Sequence, residues 1–243
     1  MEQPQRKLVQ RVRHELRLRE LVVDSVTPVG DHFVSITFGG AELADFVSLG
    51  FDDHVKFILD DAAGEPLRRD YTPRRYDAQS RQLTIEFALH GEGAASDWAR
   101  QAAPGQCATI GGPKGSMIVP PDFDWHLLVA DATGLPAIRR RLEELPAGTR
   151  AIVVVQVGAS DRILPATQAR LEVHWADHAD ALVASVRALT VPAGEGYAWG
   201  GGEAAMMRRV RDVLVAEKGL PKEAMRISAY WKQGAADFHE DLG

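Results

Sequence analysis

Apolar side chains occupy every second position in several short segments of the first half of the chain. The clearest alternation runs over residues 34–38, 55–59 and 83–89. Successive side chains on a strand point to opposite faces, so this period of two predicts half-buried β-strands. Turn residues such as Gly111-Gly112-Pro113 separate the segments. Short strands without long helices predict an antiparallel barrel or sandwich over residues 14–121.

Continuous apolar runs replace this alternation in the second half of the chain. Residues 127–130 and 152–155 are uninterrupted apolar runs, which are typical of parallel strands covered on both faces. Between the two runs, the apolar residues of segment 135–145 recur at helical spacing. Thr133 is a candidate N-cap for this helix.

Three more strand segments extend the pattern towards the end of the chain. Strands are predicted at 171–175, 197–199 and 226–231, with helical segments between them. Strands that alternate with helices predict a doubly wound α/β domain. We place this domain at residues 122–243, directly after Pro120-Pro121.

Composition and charge exclude some classes of protein. The chain has 243 residues, and its 28 basic and 34 acidic residues give a net charge of −6, so we expect neither nucleic acid nor a membrane as partner. Cys107 is the only cysteine, which excludes an intramolecular disulfide and an iron–sulfur cluster held by one chain. We expect a soluble, cytoplasmic protein. Residues 1–13 lack the apolar stretch of a secretory signal, and we expect a frayed tail there.

The segment Arg69-Asp70-Tyr71-Thr72-Pro73-Arg74 places a cation, a flat aromatic ring and a hydroxyl group close together. On a strand, Arg69 and Tyr71 share one face, while Thr72 lies on the other face or in the loop that Pro73 begins. These side chains suit a phosphate, a ring face and a ring edge, which a flavin presents together. An ordinary strand with Arg and Tyr on the surface explains the same residues.

Turns that contain glycine precede predicted helices at two further places. Residues 90–98 follow a strand and open a short helix, so the backbone N–H groups there suit a phosphate. In segment 199–204, three consecutive glycines allow a cofactor to approach the backbone, although the Gly-x-Gly-x-x-Gly fingerprint is absent. A third connection, residues 131–138, lies at the end of a parallel strand, where ligands bind in open α/β sheets. Each segment is also explained as a plain connection between a strand and a helix.

Together these segments resemble the siderophore-interacting protein family, the FAD-dependent ferric-siderophore reductases within the ferredoxin-reductase-like superfamily. The hexapeptide is similar to the family's Arg-x-Tyr-Thr signature, and Tyr230-Trp231-Lys232-Gln233-Gly234 is similar to its Tyr-Trp-basic-x-Gly ending. Matched segments run in order from residue 54 to residue 234. The resemblance implies an FAD-binding antiparallel β-barrel followed by a nicotinamide-binding α/β domain. It also implies hydride transfer from NADH or NADPH to FAD, and then electron transfer to siderophore-bound Fe(III) with release of Fe(II).

The resemblance assigns roles to single residues on the flavin side. Tyr71 is expected to stack on the flavin ring, Thr72 to hydrogen-bond near its reactive nitrogen, and Arg69 to pair with the FAD phosphates. Thr72 and Thr133 are the two residues expected to act at the reacting atoms. The other residues expected to bind FAD are Asp70, His90, Gly91, Gly93, Ala94, Ala95, Ser96 and Trp98.

The resemblance implies a second group of residues on the nicotinamide side. They are Asp131, Thr133, Gly200, Gly201, Gly202 and Glu203, with Trp231 either packed against the flavin or closing the sheet. Lys56 and Lys232 are expected to draw an anionic ferric siderophore to the flavin, although both also suit a solvated surface. Ala94, Ala132 and Gly134 depart from the family's pattern, in which proline, an acid and alanine are common.

Other interpretations stay open. A flavin reductase of the same fold could pass electrons to a ferredoxin, a quinone or oxygen, and a ferredoxin could replace the nicotinamide as donor. A siderophore-binding protein without flavin is a rival outside the enzymes. The arginines at 139–141 and 208–209 are expected on solvated helix faces, with one of them available to the extra phosphate of NADPH. His174 and His178 straddle a strand end and a turn, so we expect no metal site there.

Overall fold

The computed structural model describes residues 9–60, 64, 66–89, 93–235 and 240–242. The chain divides into two compact units, Met1–Pro121 and Asp122–Gly243. An antiparallel sheet dominates the first unit and a mainly parallel sheet with helices dominates the second. The predicted fold class, a β domain followed by an α/β domain, is confirmed.

Most of the regular secondary structure of the first unit is β-strand. These are β1 (Gln10–Arg13), β2 (Leu18–Pro28), β3 (Phe33–Gly39), β4 (Val55–Asp60), β5 (Pro66–Tyr71), β6 (Pro73–Asp77), β7 (Gln82–Ala88), β8 (Cys107–Gly111) and β9 (Gly115–Ile118). Helix α1 covers Ala94–Gln101, and a 3₁₀ turn covers Ala41–Leu43. A seven-stranded antiparallel sheet has the order β5-β4-β8-β2-β3-β7-β6, while β1 pairs with β9.

One face of the seven-stranded sheet encloses the core of this unit. Leu83, Ile85 and Phe87 alternate along β7 and are fully buried. Tyr71, at the end of β5, has its ring centroid 4.3 Å from that of Phe87, although β5 and β7 are not neighbours in the hydrogen-bonded order. The sheet therefore curls upon itself, as in a barrel.

The expectation of a frayed tail over residues 1–13 is wrong for its described part. β1 pairs antiparallel with β9, with Gln10 opposite Ile118. Directly after β1, His14 Nε2 lies 2.8 Å from Ser116 Oγ, 102 residues along the chain. Such a distant partner leaves no periodic signal in the short N-terminal segment, so the pattern of apolar residues does not reveal this strand.

The second unit alternates strands with helices. Its strands are β10 (Trp125–Asp131), β11 (Arg150–Gln156), β12 (Arg170–Ala176), β13 (Gly196–Glu203), β14 (Met225–Trp231) and β15 (Glu240–Asp241). Its helices are α2 (Leu135–Glu144), α3 (Ala179–Ala188) and α4 (Ala204–Asp212), which continues into a π-helical turn (Val213–Glu217). Short 3₁₀ turns cover Ala132–Gly134, Ala159–Asp161 and Lys222–Ala224. Within the described ranges, no helix has the length and apolar character needed to cross a bilayer.

The sheet of the second unit has the order β12-β11-β10-β13-β14-β15, with β15 antiparallel to an otherwise parallel sheet. Leu127 and Val129 of β10 share a core cluster with Leu182 of α3 and Val210 of α4. Helix α2 contacts β10 and β11, and its buried side chains lie outside that cluster. Helices thus cover both faces, and the order of strands reverses between β10 and β13, as in doubly wound sheets.

Candidate functional site

The segment from Arg69 to Thr72 crosses from β5 to β6, and Thr72 lies between the two strands. In the pairing of β5 with β4, Arg69 is opposite Phe57 and Tyr71 is opposite Val55. Phe57 and Val55 are fully buried, and cross-strand partners share a face of the sheet. Arg69 and Tyr71 therefore lie together on the core-side face, and Thr72 is buried beside them.

The phenol ring of Tyr71 is held by other aromatic rings. Its centroid lies 4.3 Å from that of Phe87, with 44° between the planes, and 6.0 Å from that of Phe57. Burial raises the pKa of the Tyr71 phenol to about 12, against a smaller opposite effect of the Arg69 charge. Since the side chain is only half-buried, a neutral ring in a fixed orientation is available to a flat ligand.

Asp70 and Lys56 lie on the outer face of the same strands. They are cross-strand partners, and Lys56 Nζ lies 2.8 Å from Asp70 Oδ2. This ion pair weakens the expectation that Lys56 draws an anionic substrate. Asp70 Oδ1 is buried and has no hydrogen-bond partner among the described residues. That oxygen can accept a hydrogen bond from a ligand, which supports Asp70 as a candidate cofactor ligand.

The first turn of α1 is open. Gly93 is its N-cap in extended backbone, with φ 173°, and no side chain in the described ranges caps the helix. A Cβ atom at Gly93 would have no described atom within 4 Å. The N–H groups of Ala94, Ala95 and Ser96 belong to the first turn, where a helix leaves its donors without internal acceptors. An open turn of this kind suits a phosphate or a diphosphate.

Other predicted FAD ligands near α1 have different surroundings. The ring of Trp98 packs against the core, with its centroid 4.7 Å from that of Phe57. Ser96 Oγ donates a hydrogen bond of 3.4 Å to the carbonyl oxygen of Ala88. His90 and Gly91 lie outside the described residues. The start of α1 therefore offers mainly backbone groups to a ligand.

In the second unit, the candidate residues meet where the strand order reverses. Ligands of open α/β sheets bind beyond the carboxyl ends of the strands at such a point. β10 ends at Asp131, β13 ends at Glu203 and β14 ends at Trp231. Three separate sequence motifs are thus brought to one edge of the sheet.

The carboxylate of Asp131 joins these three strand ends. Its Oδ1 accepts hydrogen bonds from the backbone N–H of Thr133 at 2.8 Å and from the Thr133 hydroxyl at 2.5 Å. Its Oδ2 accepts from the backbone N–H of Glu203 and from Trp231 Nε1, both at 2.8 Å. Asp131 is 7% exposed. The structure therefore gives Asp131 an internal role at this edge.

Thr133 does not cap helix α2, which corrects the prediction from the sequence. A 3₁₀ turn comes first, and the Asp131 side chain is its cap. Gly134 is the N-cap of α2. The Asp131 carboxylate caps the turn because it accepts the backbone N–H of Thr133, and the Thr133 hydroxyl donates to the same oxygen.

The glycines at 200–202 lie inside β13 and not in a turn after it. The protein itself fills the space beside them. A Cβ atom at Gly200 would lie 3.0 Å from Ile227 Cδ1, and one at Gly202 would lie 2.8 Å from Asp131 Oδ2. At Gly201 the nearest atom would be Tyr230 Cζ, at 2.9 Å. These glycines permit close packing within the unit. Their contact with a cofactor stays a prediction.

Glu203 and Trp231 complete the edge. Glu203 Oε2 accepts a hydrogen bond of 3.0 Å from the backbone N–H of Met206, and so caps α4. Trp231 is 39% exposed although its indole N–H is bonded to Asp131. Trp231 therefore presents part of its ring to solvent and is not a core residue of the sheet. Lys232, the next residue, is exposed.

The arginines on α2 are placed differently from the prediction. Arg139 and Arg141 are 2% and 3% exposed, and Arg139 Nε donates to the carbonyl oxygen of Ile163 at 2.9 Å. Consecutive residues occupy different sides of a helix, so a run of arginines cannot all lie on its solvated face. Arg208 and Arg209 of α4 are exposed, as expected.

Sequence patterns did not single out Arg162, which lies beyond the carboxyl end of β11. Its guanidinium carbon lies 5.9 Å from the centroid of the Trp175 ring, and the group forms an ion pair with Asp177. Trp175 and Asp177 lie at the end of β12 and directly after it. Only the parallel pairing of β11 with β12 brings these side chains together, and no motif marks it.

Two family models match the chain. The siderophore-interacting FAD-binding domain matches residues 60–117, and the siderophore-interacting protein model matches residues 123–234. The chain belongs to the siderophore-interacting protein family. The two matches fall in the antiparallel unit and the α/β unit respectively.

This siderophore-interacting protein has relatives that match it along most of its length. It is 36% identical to an NADPH-dependent ferric-chelate reductase of Escherichia coli, over 91% of this chain and 96% of the relative. It is 27% identical to a ferric vibriobactin reductase of Vibrio cholerae, over 88% of this chain and 89% of the relative. The crystal structure of a siderophore utilization protein from T. fusca is similar with a TM-score of 0.83 at 31% identity, covering 96% of this chain and 98% of that protein.

The first unit of this siderophore-interacting protein has groups that fit an FAD. Asp70 offers a buried carboxylate oxygen that has no donor among the described residues. The start of α1 at Gly93 offers backbone donors with open space beside them. Tyr71 offers a neutral ring, and Arg69 shares its face of the sheet. An acceptor, a phosphate site, a ring face and a cation are therefore all present.

Proposed function

We propose that this protein is an FAD-dependent ferric-siderophore reductase that takes electrons from NADPH and releases Fe(II) in the cytoplasm. The observation that carries the proposal is the match through both units to an NADPH-dependent ferric-chelate reductase at 36% identity. The similarity to a ferric vibriobactin reductase supports siderophore-bound iron as the substrate. The chemistry that FAD supplies when bound is hydride acceptance from NADPH and one-electron transfer to Fe(III).

In the first unit, binding and orientation of FAD fall to the hexapeptide and to α1. Tyr71 offers its ring to the flavin, and Thr72 offers the adjacent hydroxyl to the flavin edge. Arg69 and the open start of α1 attract the phosphates through a cation and through backbone N–H donors. Because the Tyr71 phenol stays neutral far above neutral pH, it adds no charge beside the flavin.

In the second unit, Arg162 is the candidate for the additional phosphate of NADPH. An arginine beyond the strand next to the switch point accommodates this phosphate in dinucleotide-binding sheets, and Arg162 follows β11, the neighbour of β10. Arg162→Ala should raise the KM for NADPH about tenfold and leave the KM for NADH unchanged. Arg150→Ala is the matched control, since it removes an exposed arginine from the opposite end of β11.

Attraction of an anionic ferric siderophore has to be local, because the net charge of the chain is −6. Lys56 and Lys232 are the two candidates, and both side chains are exposed. Lys232→Gln and Lys56→Gln should each raise the KM for an anionic ferric siderophore. The rise should shrink as salt is added, because salt screens exposed charges.

The test is a stepwise reduction without oxygen. The protein is loaded with FAD, the flavin is reduced with NADPH or NADH, and ferric siderophores are then added together with a ferrous-iron chelator. We expect NADPH to bleach the flavin absorbance, a ferric siderophore to restore it, and the chelator to report Fe(II). A protein that stays colourless after incubation with FAD would refute the enzymatic function.

The same assay separates the alternative electron partners. A reduced flavin that ferric siderophores leave unchanged, but that a quinone, oxygen or an oxidised ferredoxin reoxidises, would indicate a flavin reductase with another acceptor. Reduction of the flavin by a reduced ferredoxin and not by NADPH would indicate that a ferredoxin is the electron donor. The first result would change the proposed electron acceptor and the second the proposed donor. Neither result would argue against the FAD site.

A further inference from the structure

Three strands of the second unit end around one carboxylate. β13 lies between β10 and β14, so Trp231 at the end of β14 reaches across the end of β13 to contact Asp131 on β10. Adjacent strands are about 4.8 Å apart, so the side chains of Trp231 and Asp131 together bridge roughly two strand spacings at this edge. The backbone N–H of Glu203, at the end of β13, donates to the same carboxylate oxygen. The exposed part of the Trp231 ring therefore lies at the point where ligands of such sheets bind.

A bulge in the pairing of β13 with β14 aims Trp231 in this direction. Gly202 is opposite Ala229, but the next residue, Glu203, is opposite Trp231, so Tyr230 is the extra residue. A regular pairing would have put Tyr230 opposite Glu203 and turned Trp231 to the other face. Bulges are known to redirect side chains next to functional sites. The bulge and the Asp131 contact thus fix one orientation of the indole.

The hydrogen-bond donors around Asp131 are equal in number to the acceptor sites of its carboxylate. Each oxygen of Asp131 accepts two hydrogen bonds, and a carboxylate has about four acceptor sites. An amide of the same shape has one accepting oxygen and one donating nitrogen. Asn at this position would therefore leave two of the four donors facing another donor.

We propose that Asp131 is a positioning residue of the nicotinamide site, which holds the Trp231 indole and the Thr133 hydroxyl in the orientation that receives the nicotinamide nucleotide. This inference rests on the proposed function for its ligand, but not for the contact itself. Asp131 acts through its neighbours, since its own oxygens are engaged by the protein.

The test uses Asp131→Asn, Trp231→Phe and the double variant in the full-length protein. Trp231 emission is obtained by subtracting the fluorescence of each protein that carries Trp231→Phe from that of its parent, with Asp131 present and with Asn in its place. We expect acrylamide to quench Trp231 roughly twofold more efficiently when Asp131 is replaced, because the ring has lost its anchor and moves between rotamers. Equal quenching in both backgrounds would overturn the proposed contact.

The second readout separates positioning from general damage to the fold. In stopped-flow reduction of the FAD-loaded protein, Asp131→Asn should weaken NADPH binding about tenfold, as expected for lost hydrogen bonds to a charged group. Reoxidation of chemically reduced protein by a ferric siderophore should stay unchanged. An equal loss in both half-reactions would show a structural role and overturn the proposal.

Comparison of the single and double variants tests whether Asp131 acts through Trp231. Trp231→Phe should weaken NADPH binding less than Asp131→Asn, because Thr133 and Glu203 keep their acceptor, and the double variant should match Asp131→Asn. Additive losses would refute the claim that Asp131 acts through Trp231. A wild-type protein that NADPH does not reduce would refute the proposed function and the ligand named here, whereas the quenching result would still decide the link between Asp131 and Trp231.

Discussion

The two candidate sites differ in how far the protein itself satisfies the carboxylate in each of them. In the first unit, Asp70 Oδ1 has no hydrogen-bond partner among the described residues, and the Cβ position of Gly93 has open space around it. In the second unit, both oxygens of Asp131 are engaged, and a Cβ atom at Gly202 would meet the Asp131 carboxylate at 2.8 Å. Among the described residues, the first unit thus leaves one carboxylate oxygen unpaired, whereas the second unit pairs both oxygens of Asp131.

This difference is the one expected between a cofactor that stays bound and a cosubstrate that leaves in every turnover. A buried polar group without a partner costs about 1–3 kcal/mol, which is tolerable where a resident cofactor supplies the partner. A cosubstrate that leaves in every turnover requires a site that remains ordered in its absence. We therefore expect the first unit to retain FAD and the second unit to bind NADPH transiently.

Gly134→Ala should destabilise the second unit, and we expect the largest effect among these variants. Its Cβ would lie 2.6 Å from the carbonyl oxygen of Gly201 and 2.7 Å from Ala130 Cβ. Overpacking costs typically about 1–3 kcal/mol, and we expect the upper end because backbone is involved. Urea denaturation measures the loss in free energy of unfolding. Alanine is common in the family at this position, so a variant as stable as wild type would show that the packing here is looser than described.

Gly93→Asp should close the open site of the first unit. Its side chain fits without a clash and caps α1, so the fold should become more stable, while a negative charge occupies the place proposed for the FAD diphosphate. Coulomb repulsion at partly screened distances predicts FAD binding weaker by about 2 kcal/mol, measured by fluorescence titration.

Gly93→Asn is the matched control, because asparagine also caps helices and carries no charge. It should retain FAD better than the aspartate variant at similar stability. Equal FAD affinities of the two variants would mean that no phosphate binds at the start of α1.

Alkaline unfolding tests how far the protein buries Tyr71. The phenol has a pKa of about 12 in the folded state against 10.0 in the unfolded chain, so the folded state holds its proton longer. The resulting stability is complete below pH 10 and is lost as the pH rises through 12. At pH 11 the loss should be about 1.4 kcal/mol relative to pH 8. Tyr71→Phe should lack this loss, and parallel pH profiles of the two proteins would show that the ring is not buried.

Tyr71→Ala should have the smallest effect among these variants. Loss of one aromatic contact costs on the order of 1 kcal/mol, so the Kd for FAD should rise about fivefold. Tyr71→Phe keeps the ring and should retain FAD as wild type does. Wild-type FAD retention in the alanine variant would contradict the placement of the flavin at this side chain.

Local periodicity predicted most of the fold because it reports which face of an element is buried. The alternating segment 34–38 lies in β3, segment 83–89 lies in β7 except for its last residue, and the apolar run 152–155 lies in β11. It did not predict that β13 continues through the glycines at 200–202, because glycine carries no side chain to show a pattern. Pairing with β10 and β14 on both sides keeps that segment in the sheet.

The motifs located the strand ends of the candidate site but not the contacts between them. Asp131 and Trp231 are 100 residues apart, and their hydrogen bond depends on a bulge that places Tyr230 outside the regular pairing. Burial of Arg139 depends on which side of α2 packs on the sheet. This hydrogen bond and this burial depend on tertiary packing, which motifs and charge patterns in the sequence do not specify.

The most direct test of the account is a retention experiment with both nucleotides present. Flavin-free protein is mixed with FAD and NADP⁺ in equal amounts and passed through a desalting column, and the nucleotides in the protein fraction are separated and quantified. We expect stoichiometric FAD and little NADP⁺ with the protein, because Asp70 Oδ1 has no hydrogen-bond partner among the described residues and the start of α1 is open. Retention of NADP⁺ without FAD, or of neither, would contradict it.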